Sequence, residues 1–537
     1  MVDKRWLLSY PEGVEATTHI EIPELTIVDF LENSIKERPN HPALVFENES
    51  YTYQELGSIV RKIANGLQKR GVKKGSSVGL MMNNCPELIF SYYAILFSGG
   101  IVVQNNPMYK ERELSYHLQD SGAEFLIVEH NILETLPTIY EKVENIIVTR
   151  VDEHPDYDTV AGYIQNESDN LSPETLNPKE DIAVLQYTGG TTGVSKGVKL
   201  THYNLVSNVV QVEKFMGVHC RKGEEKVLNV LPLFHVYGMT VSMNYCFYLQ
   251  STLYLVERFE STKILSIIHD ENITMFPGTP TIYVAVNSDD NIARYDLSSI
   301  HTCISGSAPL SVEVKNQFES ITGAKLVDAY GLSEASPVTH SNPVNGVQKP
   351  GSMGLPISGT DCRIVDIHDG ETEMDVNQPG ELIVKGPQVM QGYWNREEET
   401  HMSLRNGWLY TGDIAYMDEE GYCFIVSRKK DVIIASGYNI YPREIEEVLY
   451  EHPSVQEVVV CGVPDSYRGE TVKAFVVKKD GQEATGDELK NFCREKLAKF
   501  KVPAYIEFRK ELPKSTVGKI LRRKLIEEEQ EESNSVN

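Results

Sequence analysis

Tyr187-Thr188-Gly189-Gly190-Thr191-Thr192-Gly193-Val194-Ser195-Lys196-Gly197-Val198 constrains what can stand on either side of it. The apolar run Ile182-Ala183-Val184-Leu185 leads in and predicts a buried strand, and an amphipathic run from Thr201 and His202 predicts a helix. Four glycines and four hydroxyl residues fall within the ten positions 188–197. Glycine allows positive φ and close approach, so successive N–H groups can converge on an anion. The hydroxyls add donors and Lys196 adds a mobile positive charge. By composition this is a phosphate loop. It is not the Walker loop, which needs Gly directly before the Lys and Ser or Thr directly after it. Ser195 and Gly197 occupy those positions.

A chain of 537 residues is too long for one core and predicts at least two domains. The formal net charge of −26 argues against non-specific nucleic-acid binding and against a polybasic membrane anchor. A polyanionic substrate therefore needs a locally basic site, which singles out the lysines and arginines inside glycine-rich motifs. The eight cysteines show no CxxC and no metal-ligand spacing, so they are expected to be reduced core residues of a cytoplasmic protein. Residues 1–6 lack the apolar segment of a signal peptide. The apolar stretch from Leu88 to Val103 is broken by Ser91, Ser98, Gly99 and Gly100, and is expected to be a buried helix running into a strand.

Moving outward, helices are predicted over 26–38, 54–69, 85–97 and 111–121. Strands are predicted at 43–46, 51–53, 77–82, 101–104 and 123–128. The same alternation returns between 201 and 335, with strands at 226–230, 253–256, 273–276, 301–305 and 325–329. This spacing predicts βαβ units and largely parallel sheets, hence two α/β subdomains. Between 351 and 425, Gly, Asp and Asn turns separate short strands and predict a β-rich subdomain. Beyond Arg428-Lys429-Lys430-Asp431 the pattern becomes that of a small α+β domain. The expected organisation is an α/β large domain over 1–427, a hinge over 428–431 and a small mobile domain over 432–537.

Four more clusters offer chemistry. Asp328-Ala329-Tyr330-Gly331-Leu332-Ser333-Glu334 ends a strand with an aromatic face, a close-approach Gly, a hydroxyl and a carboxylate. Gly407-Trp408-Leu409-Tyr410-Thr411-Gly412-Asp413 places an Asp after a strand, where it can accept two ribose hydroxyls. Ser427-Arg428-Lys429-Lys430-Asp431 precedes Ser436-Gly437-Tyr438, and Pro513-Lys514-Ser515-Thr516-Val517-Gly518-Lys519-Ile520 presents a Lys on a turn. Taken singly, each is also satisfied by an ordinary turn or a solvated charged linker.

In this order the five clusters resemble the adenylate-forming superfamily of acyl-CoA synthetases, aryl-acid CoA ligases, luciferases and peptide-synthetase adenylation domains. The opening Trp6-Leu7-Leu8-Ser9-Tyr10-Pro11 and the turn Asn105-Asn106-Pro107-Met108-Tyr109 resemble bacterial long-chain fatty acid–CoA ligases in particular. The resemblance implies an ATP- and Mg²⁺-dependent enzyme. It would convert a long- or medium-chain fatty acid to an acyl-adenylate, release pyrophosphate, and pass the acyl group to coenzyme A. It places Thr188 and Glu334 on the Mg²⁺ side and Gly189, Gly190, Thr191, Thr192 and Lys196 around the phosphates. Asp328, Tyr330, Gly331 and the turn Gly306-Ser307-Ala308 would hold the adenine, with Ser333 near the α-phosphate and Asp413 with Arg428 on the ribose. Lys519 would reach the α-phosphate and carboxylate, and His235 would line the carboxylate end. Lys430 would be the hinge, Gly437 and Tyr438 would border the coenzyme A thiol path, and Tyr237, Met239 and Gly278 would line the acyl pocket. Ser195 stands where Pro is commoner in the family, and Ser427 where Gly or Asp is. A monomer or homodimer is expected, with peripheral contact at the inner membrane face left open. The competing readings are an aryl-acid ligase, an acyl-AMP ligase loading a carrier protein, and a non-catalytic nucleotide- or lipid-binding protein.

Overall fold

The computed structural model describes residues 4–172, 174–188, 195–216, 220–308, 310–435, 438–465, 468–514 and 520–536. The chain divides into two compact units: Met1–Cys362 with Val384–Tyr410, and Arg363–Ile383 with Thr411–Asn537.

The first unit is α/β, as its alternation predicts. One sheet of seven strands runs in the order Asp158–Thr159, Asn145–Thr149, Phe125–Glu129, Ser77–Met81, Ile101–Gln104, Ile182–Thr188, Lys196–Thr201. Every neighbouring pair is parallel except the last. Central strands covered on both faces need apolar side chains at successive positions, and Ser77–Met81 and Phe125–Glu129 are buried throughout. Helix Pro86–Phe97 is buried at every position but Glu87, and runs on into strand Ile101–Gln104. Among the described residues no helix is long and apolar enough to cross a membrane.

A second set of strands joins Lys226–Asn229, Thr252–Leu255, Pro42–Phe46 and Glu49–Thr52. Here the structure departs from chain order. Residues 42–52 were expected with the first subdomain, but Leu44 pairs in parallel register with Leu253, both fully buried. The predicted strand 273–276 shrinks to a single bridging residue. Met275 pairs with Val227 on one side and Thr302 on the other, and Thr302–Ser305, Lys325–Gly331, Val338–Ser341 and Leu355–Pro356 continue from there. The opening motif carries one element that its composition does not announce. Lys196–Thr201 is a strand antiparallel to Ile182–Thr188, and the helix begins at His202, where the amphipathic run predicts it. Thr188 and Lys196, the described ends of the phosphate loop, are therefore paired across neighbouring strands, and one strand separates the loop from the helix.

In the second unit, Tyr438–Ile440, Ile433–Ala435, Gly469–Lys478 and Val455–Asp465 form a sheet in that order, with Tyr505–Arg509 alongside Gly469–Lys478. Ile445 and Leu449 of helix Pro442–Tyr450 and Leu489 and Cys493 of helix Gly486–Lys496 complete its core. The expected hinge 428–431 falls inside this unit. Asp413–Met417 pairs with Cys423–Arg428, and Lys429 bonds Glu381 at 2.7 Å. Arg522 donates to Asp431 and to Glu446, each at 2.6 Å. Burial works against its charge, but the two carboxylates outweigh that and raise its pKa above the ordinary arginine value.

Arg522→Ala leaves Asp431 and Glu446 without their cation. It is expected to destabilise the second unit by about 3–5 kcal/mol, read from denaturant unfolding of the full chain. A loss below about 1 kcal/mol would show that the triad contributes no more than a surface pair.

Candidate active site

The hairpin register sets Thr188 opposite Lys196, with the Ser195 hydroxyl donating to the Thr188 carbonyl at 2.8 Å. Gly189, Gly190, Thr191 and Thr192 lie outside the described residues. What can be described is how the base of the loop is fixed. Tyr116 donates to the Ser195 carbonyl at 2.9 Å, while Tyr187 and Arg396 converge on Asp120 at 2.8 and 2.7 Å. A Cβ on Gly197 would stand 3.2 Å from the Tyr187 ring and 3.4 Å from Trp394, so the missing side chain lets the strand pass between two aromatics. Behind Tyr187 lies His117, its ring stacked at 4.0 Å with Nδ1 3.0 Å from Asn105. Burial lowers the His117 pKa from the ordinary 6.5 to about 4.

Segment 390–394 lines the other side of the hairpin. Gln391 N–H donates to the Lys199 carbonyl, Lys199 N–H to Gly392, and Trp394 N–H to Gly197, at 3.1, 2.9 and 2.7 Å. This places the Tyr393 ring 5.1 Å from the Lys196 ammonium, and its hydroxyl donates to Glu334 Oε1 at 2.9 Å. Glu334 sits in the short turn Ser333–Ala335, and its carbonyl accepts from Met390 N–H at 2.8 Å. Lys196 and Glu334, separate clusters in the sequence, are thus brought together by a residue that sequence reasoning missed. Burial and the Glu334 carboxylate both raise the Tyr393 pKa, so the phenol keeps its proton and stays a donor.

The strand-end cluster behaves as its composition implies. Asp328 pairs in register with Ser305, and Tyr330, half-buried, meets His340 edge-on at 5.9 Å. A Cβ on Gly331 would come 2.3 Å from the Pro337 carbonyl oxygen, so only Gly fits. In the facing turn Ser307 takes a positive φ of 73° and, with Ala308, is exposed. Gly306 lies directly on the Tyr237 ring, where a Cβ would be 3.2 Å away. Tyr237 is buried with its hydroxyl donating to the carbonyls of Ile304 and Gly278 at 2.8 and 3.2 Å, which makes it the floor of this turn. Met239 is also buried, with the Gln104 amide donating to its sulfur at 3.8 Å. Half-buried His235 accepts from Tyr237 N–H at Nδ1, where the chain enters a π-helical turn over Gly238–Asn244, an unusual geometry often found at functional sites. An apolar cavity of about 10 Å³ lies between Val212, Phe215 and Met216 of helix His202–Met216 and the strand residues Ile304 and Ala329.

In the second unit Asp413 and Arg428 stand opposite each other in register. The guanidinium bonds the nearly buried carboxylate at 2.6 Å. Lys430 is exposed in the turn Lys429–Asp431. Tyr438 begins a strand, and Gly437 and Lys519 lie outside the described residues. Thr188 and Glu334 offer a hydroxyl and a carboxylate, the hard oxygen donors that suit Mg²⁺ when it keeps substrate phosphates and water as its other ligands.

Comparison with known proteins supplies the family. A family model described as AMP-binding enzyme matches residues 31–394, and one described as AMP-binding enzyme C-terminal domain matches 444–519. The chain is 47% identical to a long-chain-fatty-acid–CoA ligase of Bacillus subtilis (strain 168), over 98% of both chains. Among solved structures, an anthranilate CoA ligase in complex with anthranoyl-AMP superposes with a TM-score of 0.87 at 28% identity, over 96% of this chain and 99% of that one. The o-succinylbenzoate coenzyme A synthetase of Bacillus subtilis, in complex with ATP and magnesium ion, gives 0.81 at 28% identity, over 92% and 98%.

His202, buried, also has its pKa lowered to about 4, chiefly by burial. Between the ordinary 6.5 and about 4 the unfolded chain binds protons that His117 and His202 refuse in the fold, so stability falls as pH drops through that window. His117→Gln should remove a share of that slope on the order of 3 kcal/mol, measured by denaturant midpoints at stepped pH. An unchanged slope would contradict the buried, neutral ring.

Proposed function

The chain belongs to the family of AMP-binding enzymes, and from that premise we propose that it joins a long-chain fatty acid to coenzyme A, using ATP and passing through an acyl-adenylate. A carboxylate resists attack because of its negative charge and because oxide is a hopeless leaving group. Attack of the carboxylate oxygen on the α-phosphorus of ATP breaks the bond to pyrophosphate and makes AMP the leaving group. The thiol then attacks the acyl carbon and AMP departs. The first step brings an anion onto a polyanion, so the protein's work is alignment and charge neutralisation. The observation that supports this most is the meeting of Lys196 and Glu334 at Tyr393, one a cation for phosphate and the other an acid for metal.

Within this reading Thr191, Thr192 and Lys196 hold the outer phosphates, and Thr188 and Glu334 hold Mg²⁺, which neutralises phosphate charge when bound. The adenine lies against Tyr330 beside the Gly306-Ser307-Ala308 turn, Ser333 faces the α-phosphate, and Asp413, oriented by Arg428, accepts the ribose hydroxyls. His235 lines the carboxylate end. The apolar faces of Val212, Phe215 and Met216 suit an acyl chain. The cavity between them, about 10 Å³, holds less than an acyl chain. Lys519 serves the first half-reaction and the Gly437 loop the second, exchanged by rotation about Lys430, because one fixed arrangement cannot hold a lysine and a thiol in the same space.

A panel from acetate through oleate to coumarate, with pyrophosphate and thioester read separately, tests the assignment. Both products should be greatest with long-chain acids, whereas a preference for coumarate would move the chain to the aryl-acid ligases. Lys519→Ala should reduce acyl-AMP formation at least 100-fold, roughly the scale of losing one key electrostatic donor, yet still convert supplied acyl-AMP to thioester. Equal loss of both halves would reject the division of roles. Gly437→Leu should spare pyrophosphate release and block thioester formation, and an unaffected overall rate would reject a thiol path at that loop.

A further inference from the structure

We infer that Tyr393 is a positioning residue that sets the orientation of the Glu334 carboxylate toward the metal and parks the Lys196 ammonium beside it. This deepens the reading of Glu334 as a Mg²⁺ ligand and depends on it. Tyr393 is 9% exposed, and its backbone is fixed from several directions. It bridges Val198 in antiparallel fashion, and its own N–H donates to Thr400 Oγ1 at 2.9 Å. Gly392 before it takes a φ of +125°, and a Cβ there would stand 2.6 Å from the Thr400 methyl group, so the approach to Thr400 excludes a side chain. With its backbone tied to the hairpin and to Thr400, the ring reaches both neighbours from a fixed base.

Each neighbour gains something specific from that rigidity. A glutamate side chain has three rotatable bonds, and a carboxylate free to rotate loses rotamer entropy each time it ligates a cation. The 2.9 Å bond from the phenol to Oε1 fixes that rotation before any cation arrives. Met390 N–H holds the same residue by its carbonyl at 2.8 Å, so side chain and backbone are both set. Hydrogen bonds to ligating carboxylates commonly alter metal affinity 10–100-fold. At 5.1 Å from the ring centroid, the Lys196 ammonium gains a cation–π contact. That contact keeps it near the acid without committing it to a salt bridge that phosphate would have to break. The phenol exchanges no proton in this role.

Phenylalanine at 393 keeps the ring and loses only the bond to Glu334. The test is Mn²⁺ binding to the full chain in the presence of α,β-methylene-ATP, followed by electron paramagnetic resonance. Tyr393→Phe should weaken Mn²⁺ by about tenfold, with the far-ultraviolet circular dichroism spectrum and the cooperativity of unfolding those of the native chain. Thr400→Val, which releases the Tyr393 N–H and the Arg396 carbonyl but keeps the phenol, should shift Mn²⁺ affinity in the same direction by less, and provides the test should Tyr393→Phe fold poorly. Glu334→Gln is the control. If it weakens Mn²⁺ while Tyr393→Phe and Thr400→Val stay within about twofold of the native chain, below the 10–100-fold range, the positioning role is overturned. If Glu334→Gln itself has no effect, the metal reading of Glu334 fails, and the role of Tyr393 fails with it.

Discussion

The antiparallel pairing of Thr188 with Lys196 is the constraint on which the first unit's site depends. A chain with a net charge of −26 cannot attract a triphosphate by its overall field. It has to concentrate cations and N–H donors locally and hold them there before the anion arrives. Pairing Thr188 with Lys196 holds the described ends of the loop to neighbouring strands and fixes where Lys196 starts from. Asp120 and Tyr116 brace its base, and segment 390–394 closes its open edge. With that edge in place, Glu334 is carried to Lys196 through Tyr393.

Much of the fold was legible in the sequence because its helices and central strands carry unambiguous periods. Helix Tyr53–Lys69, expected over 54–69, buries Leu56, Ile63, Ala64 and Leu67 on one face with Val60, whereas the apolar Ile59 is only half-buried; it begins at a capping box between Thr52 and Glu55. Strand Lys196–Thr201 was hidden because lysines at positions 196 and 199 make it look like the end of a loop. Only its partners on either side turn Val198 and Leu200 inward. Met275 shows the opposite failure, since an apolar run promised a strand and the structure uses one residue of it as a bridge. Chain order also misled for residues 42–52, whose buried partners lie 200 residues further along.

The candidate site was legible wherever chemistry is concentrated in a short motif, as at Asp328–Glu334 or Asp413. It was illegible where a residue acts through distant partners. Tyr393 meets Glu334 across 59 residues, and nothing in Gln391-Gly392-Tyr393-Trp394 announces a link to a phosphate loop. Gly392 was the one available signal, since a glycine before two aromatics hints at a backbone that needs positive φ. Tyr237, an acyl-pocket residue by the family resemblance, has its hydroxyl bound to the Ile304 and Gly278 carbonyls and its ring under Gly306. In the second unit, Arg522 ties Asp431, beside the proposed hinge, to helix Pro442–Tyr450 through two carboxylates well apart in sequence.

The central claim is that a fatty acid's own oxygen attacks the α-phosphorus of ATP. It is tested most directly by following that oxygen. Palmitate labelled with ¹⁸O in both carboxylate positions is incubated with the purified chain, ATP, Mg²⁺ and coenzyme A, and the AMP is weighed by mass spectrometry. Each AMP should carry a single ¹⁸O, retained from the carboxylate when the thioester forms. Unlabelled AMP, or label appearing in inorganic phosphate, would contradict the account.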